Sequence, residues 1–179
     1  MAPKLYMGIV SPASRGAMMA CEYFKVPVEM VTLDLMSGAH LTAEYLKKNP
    51  LHTIPVFEDG DFVLHDSHAI IQYLADTYGN DDTIYPKDPK QRAKINQILF
   101  FDQGHLSCRL GEIMLPAWME GVSHVTQKNL DRLDEVYGFV EEFLSRTKYI
   151  ASNNLTIADF SIAASLSSLH LILALNATK

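Results

Sequence analysis

Residues 51–69 read Leu51-His52-Thr53-Ile54-Pro55-Val56-Phe57-Glu58-Asp59-Gly60-Asp61-Phe62-Val63-Leu64-His65-Asp66-Ser67-His68-Ala69. Two apolar runs, Ile54–Glu58 and Phe62–Leu64, flank Asp59-Gly60, a dipeptide suited to a hairpin turn with positive φ. After His65, Asp66-Ser67 can cap a helix, and Ile70, Tyr73, Leu74 and Tyr78 recur at helical spacing up to Gly79. Upstream, Leu41–Lys48 predicts a short helix stopped by Asn49-Pro50. Val26–Leu33 and Lys4–Val10 predict strands, with a helix over Arg15–Phe24 between them, so the first eighty residues read β-α-β-α-β-β-α. Downstream, the polar, proline-bearing stretch around Asn80–Pro89 marks a boundary: residues 1–80, a linker over 81–89, and 90–179. Gln91–Met119, Thr126–Thr147 and Thr156–Leu173 each carry helical periodicity without strand pattern, which predicts an all-α second domain. Thr156 and Asp159 form a capping box, with Leu155 and Phe160 placed as a hydrophobic staple.

The 179 residues are 48% hydrophobic and 20% charged, which is ordinary globular usage. Fifteen Lys and Arg against twenty-one Asp and Glu give a net charge of −6. There is no basic stripe for a phosphate backbone, so nucleic acid is excluded as a partner. Cys21 and Cys108 are too few for a disulfide framework and point to a reducing compartment. The N-terminal MAPKLYMGIV lacks a signal-peptide core, and Leu166–Leu175 is too short for a membrane span. A cytoplasmic protein with no membrane partner is expected. The seven His show no ligand spacing, and no metal is expected.

Three places carry chemistry. Ser11 sits where a strand gives way to a helix, and the free amides and positive dipole end there favour an anion such as a thiolate. The nearest thiol, Cys21, lies ten residues along, and without a Cys-x-x-Cys motif disulfide exchange by the protein itself is disfavoured. Ser11 also reads as a plain N-cap, and Ser14 is a rival hydroxyl. Asp66 and Ser67 open the third helix: Ser67 with the first free amides suits a carboxylate, and Asp66 suits an ammonium. Together they match the two charges of an α-amino acid end. Ile54-Pro55, the third, reads by itself as an edge-strand proline.

The order of SPASR (11–15), HTIP (52–55) and DSHA (66–69), within the runs LKKNPLHTIPVFEDG, DSHAIIQYLADTYG, IYPKDP and NLTIADFS, resembles the cytosolic glutathione transferases. The insect epsilon class is the nearest match, the delta class the next, and the similarity extends over essentially the whole chain. The resemblance implies a thioredoxin-like α/β domain with a four-stranded mixed sheet, an all-α domain after it, and conjugation of glutathione to hydrophobic electrophiles. It implies that glutathione is the co-substrate and that the protein is a homodimer. Ser11 would donate a hydrogen bond to the glutathione sulfur. His40 and His52 would face the glycyl carboxylate. Thr53, Ile54 and a cis Pro55 would pair with the tripeptide backbone, and Asp66, Ser67 and His68 would hold the γ-glutamyl end.

The acceptor candidates are Leu35, Ser107, Leu110, Met114 and Trp118. Here the chain departs from its class, with Gly111 where an Arg is common and Leu115 where a Glu is common. It also ends before the last helices of the family: either the C-terminal domain is shortened or the sequence is part of a longer chain. A non-catalytic glutathione or hydrophobic-ligand binder with a degenerate acceptor site is the alternative. A thiol oxidoreductase would want Cys in place of Ser11. The dimer contact is expected at the third helix, through Ile70 and Ile71, and at the long helix, through Phe100 and Phe101.

Overall fold

The computed structural model describes residues 2–122 and 124–177, the side chains of 118, 119 and 171–177 excepted. The chain divides into two compact units, Met1–Tyr85 and Pro86–Lys179. In the first, β1 (Lys4–Met7), α1 (Pro12–Tyr23), β2 (Glu29–Thr32), α2 (Ala43–Lys48), β3 (Val56–Asp59), β4 (Phe62–His65) and α3 (Ser67–Tyr78) follow in order. The sheet order is β2-β1-β3-β4, with β1 parallel to β2 and the other pairs antiparallel. This is the thioredoxin-like mixed sheet expected from the sequence.

Alternation along the strands sorts the side chains. Leu5 and Phe57, both fully buried, share one face, and Phe57 lies 5.7 Å ring to ring from Tyr73 of α3. α1 and α3 pack together there. Tyr6 and Glu58 share the other face, where the Tyr45 ring of α2 meets Tyr6 edge-on at 6.1 Å.

The first two strands are shorter than the sequence pattern predicts. β1 stops at Met7, not Val10, because its partners run out: Met7 faces the last residue of β2, and β3 begins only at Val56 after the cis Ile54-Pro55 bond. β2 begins at Glu29, not Val26, because the Val26 amide donates to Cys21 carbonyl in the turn after α1 and Pro27 has no N–H. α1 starts at Pro12, three residues early, since Ser11 caps it and Pro is favoured at the first helical position. Leu41 belongs to a 3₁₀ turn over Ala39–Leu41, so α2 starts after Thr42, which caps it. Gly79 ends α3 with φ −65°, outside the left-handed region. It is required there by close approach, since a Cβ would fall 2.3 Å from the Ala75 carbonyl oxygen.

In the second unit the expected long helix over Gln91–Met119 is divided. α4 (Pro89–Phe101) passes through a π-helical stretch over Asp102–Ser107 into α5 (Cys108–Met119). Its periodicity survives the insertion, which is why the sequence reads as one helix. α6 (Gln127–Arg146) is capped by Thr126, and α7 (Ile157–Ala177) runs beyond the expected Leu173. The buried Ser161 hydroxyl of α7 donates to Asp102 Oδ2 in the π stretch at 2.5 Å. No helix among the described residues is long and apolar enough to cross a membrane.

The start of α7 is built on Asp159. Its Oδ2 accepts from the Thr156 amide at 2.7 Å and the Thr156 hydroxyl at 2.9 Å, while Oδ1 accepts from the Ile150 amide at 3.1 Å. The reach-back is as expected, but Thr156 does not cap with its side chain: its carbonyl receives the Asp159 amide and its hydroxyl is turned to the carboxylate. Asp159→Ala would leave the amides of two buried residues, Thr156 and Ile150, without acceptors. The expected cost is about 2–4 kcal/mol, with Asp159→Asn losing less because one acceptor oxygen remains. Equilibrium urea unfolding of the two variants checks this order.

Candidate active site

The expected site residues of the first unit gather at one end of its sheet. Tyr6 pairs with Val56, and Val56 with His65, so this row crosses three strands. Ile54-Pro55 enters the row, Asp66-Ser67 leaves it, and the Gly8–Ser11 turn follows β1 beside it. A Cβ on Gly8 would come within 2.9 Å of the Ile54 side chain, which shows how closely the two loops approach. Segments up to about sixty residues apart in the chain thus meet through strand pairing alone.

Ser11 is the N-cap of α1, its hydroxyl oxygen accepting from the Ser14 amide at 3.2 Å. That uses one lone pair. The hydroxyl proton has no acceptor among the described residues, so capping and donating are compatible in one group. Ser14, the rival, is fully buried, and its oxygen accepts from the Gly8 amide at 3.3 Å. It braces the turn from inside and has no access to a ligand. Arg15 braces it from outside, donating from Nη1 to the Ile9 and Val10 carbonyls at 3.1 and 3.2 Å. Cys21 is buried, and burial pushes its thiol up to about 12. It offers no thiolate.

The 49–55 loop is held by a residue that sequence reading treated only as a helix stop. The fully buried Asn49 donates from Nδ2 to the Thr53 carbonyl at 2.9 Å and the Thr53 hydroxyl at 3.0 Å, and its Oδ1 accepts from the Leu51 amide at 3.0 Å. The Tyr45 hydroxyl donates to the same Thr53 carbonyl at 2.7 Å. Asn before Pro at a helix end, able to bond its own following backbone, is the signal that could have found it. The loop presents His52 at φ +48°, a conformation costly for a residue with a Cβ, and carries the cis Ile54-Pro55 bond. His40 lies 6.2 Å ring to ring from His52. Its buried Nδ1 has no partner among the described residues.

At the start of α3 the structure corrects one expectation. Asp66 Oδ1 accepts from the His68 amide at 2.9 Å and the Ala69 amide at 3.2 Å. Those amides are therefore spent on the cap, and of the first turn only the Ser67 N–H and hydroxyl remain for a carboxylate. Ser67 is buried, whereas the Asp66 side chain is about half exposed. Asp66 itself has φ +76°, strain that turns the carboxylate onto the helix end. His68 Nδ1 lies 3.5 Å from Oδ1, and this neighbour, with the two amides, holds the Asp66 carboxyl below the usual range against the opposing effect of burial.

The acceptor candidates differ in burial. Leu110 is 2% exposed and so packs as core, not as wall, while Leu35, Ser107 and Met114 are half-buried. The Trp118 side chain lies outside the described ones. Sequence reading missed Ile9 and Val10, exposed at 61% and 59% immediately before Ser11. Their place in an apolar run made them look like strand. Ile70 and Ile71 are both fully buried in the chain and so offer no surface to a second copy, while Phe100 is exposed. No group of three or more His, Cys, Asp or Glu side chains converges among the described residues.

Family models for the N-terminal domain and the C-terminal domain of glutathione S-transferase match residues 1–76 and 71–178. Glutathione S-transferase 1 of Manduca sexta is 40% identical over 167 residues, 93% of this chain and 76% of the relative. An epsilon-class glutathione S-transferase from the housefly, Musca domestica, superposes with a TM-score of 0.89 at 36% identity, over 98% of this chain and 86% of its own. A glutathione transferase homologue from Drosophila mojavensis, solved with bound glutathione, has a TM-score of 0.89 at 40% identity, over 94% and 78%. With both domain models matched in order along a chain of this fold, the protein belongs to the glutathione S-transferase family.

Proposed function

We propose that this glutathione transferase binds glutathione across the end of its first sheet and activates the thiol at Ser11. The observation that carries the reading is the unspent Ser11 proton at the amino end of α1, with the rival Ser14 buried. Lowering a thiol from about 8.5 to about 6.5 takes roughly 2.7 kcal/mol, within reach of one charge-assisted hydrogen bond and a helix terminus. The thiol proton leaves to water. The thiolate lone pair then forms the carbon–sulfur bond while the carbon–leaving-group bond breaks and its electrons depart with the leaving group. Retention of Ser11 favours catalysis over a binding-only role.

The tripeptide is placed by the remaining groups. His40 and His52 face the glycyl carboxylate, for which the buried Nδ1 of His40 is a ready partner. Thr53, Ile54 and Pro55 offer backbone groups on a rigid edge. Asp66 takes the γ-glutamyl ammonium, Ser67 takes the carboxylate beside it, and His68 orients Asp66. For a hydrophobic electrophile, the exposed Ile9 and Val10 give apolar surface immediately before Ser11. The match to the housefly relative supports the epsilon class, with delta next, and detoxification in the cytoplasm of an insect is the role that goes with this reading. A homodimer is part of the same reading, with exposed Phe100 on the long helix as its apolar contact.

Ser11→Ala is expected to lower turnover about 10- to 100-fold, the worth of one charge-assisted hydrogen bond, while retention on glutathione resin persists. Ultraviolet absorbance of the bound thiolate at neutral pH should fall with it. Wild-type turnover in the variant across pH 6 to 8 would reduce Ser11 to a cap.

Asp66→Asn keeps the cap, since Asn is as good an N-cap as Asp, and removes only the charge. It and Ser67→Ala are each expected to weaken glutathione binding by about 1–3 kcal/mol in calorimetry. Because the folded Asp66 carboxyl is held below its ordinary value, the charge is fully present above pH 5 and is lost only as pH falls through the depressed value. The difference in affinity between wild type and Asp66→Asn should accordingly be flat from pH 5 to 8. Light scattering should give about twice the 20.1 kDa chain mass at all concentrations, and a stable monomer would remove the dimer from the reading.

A further inference from the structure

On the face of the sheet opposite α1 and α3 lies a charged cluster that no step above uses. Glu58 of β3 accepts from the Tyr6 hydroxyl on Oε2 at 2.6 Å and from Lys48 Nζ on Oε1 at 2.7 Å. Lys48 Nζ stands 5.3 Å from the centroid of the Tyr6 ring, against which Tyr45 packs edge-on. Lys48 and Glu58 are only 20% and 22% exposed, so the pair is shielded from much of the solvent. Lys48, with the Tyr6 hydroxyl, holds the Glu58 carboxyl below the usual range.

The cluster matters because of what α2 is. It has six residues, too few to be stable alone, so its position is set by its contacts. Tyr45 and Lys48 are the α2 residues that meet the sheet face, whereas Ala43, Glu44, Leu46 and Lys47 are exposed. Directly beyond Lys48 stands Asn49, whose side chain holds Thr53, and the Tyr45 hydroxyl holds the same carbonyl. Glu58, three residues past Pro55, thus ties β3, which follows the 49–55 loop, to Lys48 at the loop's start.

We propose that Glu58, Lys48 and Tyr6 form a latch that positions α2 and the 49–55 loop for glutathione without touching it. These are positioning residues, and the inference rests on the reading that glutathione lies against His52, Ile54 and Pro55. A latch of this kind governs affinity for the tripeptide and leaves the reacting sulfur and Ser11 unaffected, so it acts on KM and not on kcat.

The test uses the full chain as Glu58→Gln, Lys48→Met and the exchanged double variant Lys48→Glu with Glu58→Lys. Each is assayed for glutathione Kd by calorimetry and for kcat with an aryl chloride at saturating glutathione. Glu58→Gln and Lys48→Met should each raise Kd and KM about three- to tenfold with kcat within about twofold of wild type, and the exchange should restore most of the affinity. Circular dichroism and the unfolding midpoint establish that each variant is folded, and the exchanged pair serves if a single variant is not. Unchanged Kd in both single variants overturns the latch, as does a fall in kcat with Kd unaltered. If wild type itself does not bind glutathione, the reading of the site falls, and the latch with it. Binding by wild type alongside equal binding by the variants removes only the latch.

Discussion

The antiparallel pairing of β1 with β3, with Tyr6 opposite Val56, is the contact on which the rest of the first unit depends. Three consequences flow from it. It brings the turn after β1 beside Ile54-Pro55, it carries β4 along so that Asp66 emerges at the same end, and it sets Tyr6 diagonal to Glu58 on the opposite face. A slip of one residue in β1 would turn the fully buried Leu5 toward α2 and send Tyr6 into the core. Register and site geometry are therefore fixed by the same burial.

Helix ends do double work in this fold. Ser11 and Asp66 each satisfy amides that a helix leaves orphaned, and each keeps something in reserve: Ser11 its proton, Asp66 its second carboxylate oxygen. Capping holds the side chain in one rotamer, so the ligand need not order it, and that lowers the entropy lost on binding. The same economy explains why Ser67 is buried while its neighbour is half exposed, since the cap turns Asp66 back over the helix end.

The loop between α2 and β3 has almost no regular structure, yet its backbone groups are accounted for. Asn49 and Tyr45 take the Thr53 carbonyl between them, and Asn49 accepts the Leu51 and His52 amides through its side chain and its own carbonyl. A buried amide of this kind offsets its desolvation only when it is hydrogen-bonded, and here both Nδ2 protons and Oδ1 find partners. The result is a rigid edge in place of a flexible loop.

Local pattern alone determined the β-α-β-α-β-β-α order of the first unit, the Asp59-Gly60 hairpin and the helical character of the segments after it, because these depend on periodicity and turn chemistry within a few residues. It also singled out Ser11, Asp66 and Ser67, since polar residues at helix starts are legible without knowing what lies across the sheet. Strand ends were not legible: Ile9 and Val10 read as strand, yet β1 stops when its partners do. Nor could pattern separate Ser11 from Ser14, or see that Asp66 would consume the amides offered to a carboxylate, because both depend on which oxygen reaches which N–H in three dimensions. Leu110, Ile70 and Ile71 went to the core for the same reason: a helical stripe states that a face is apolar, and only packing decides what covers it.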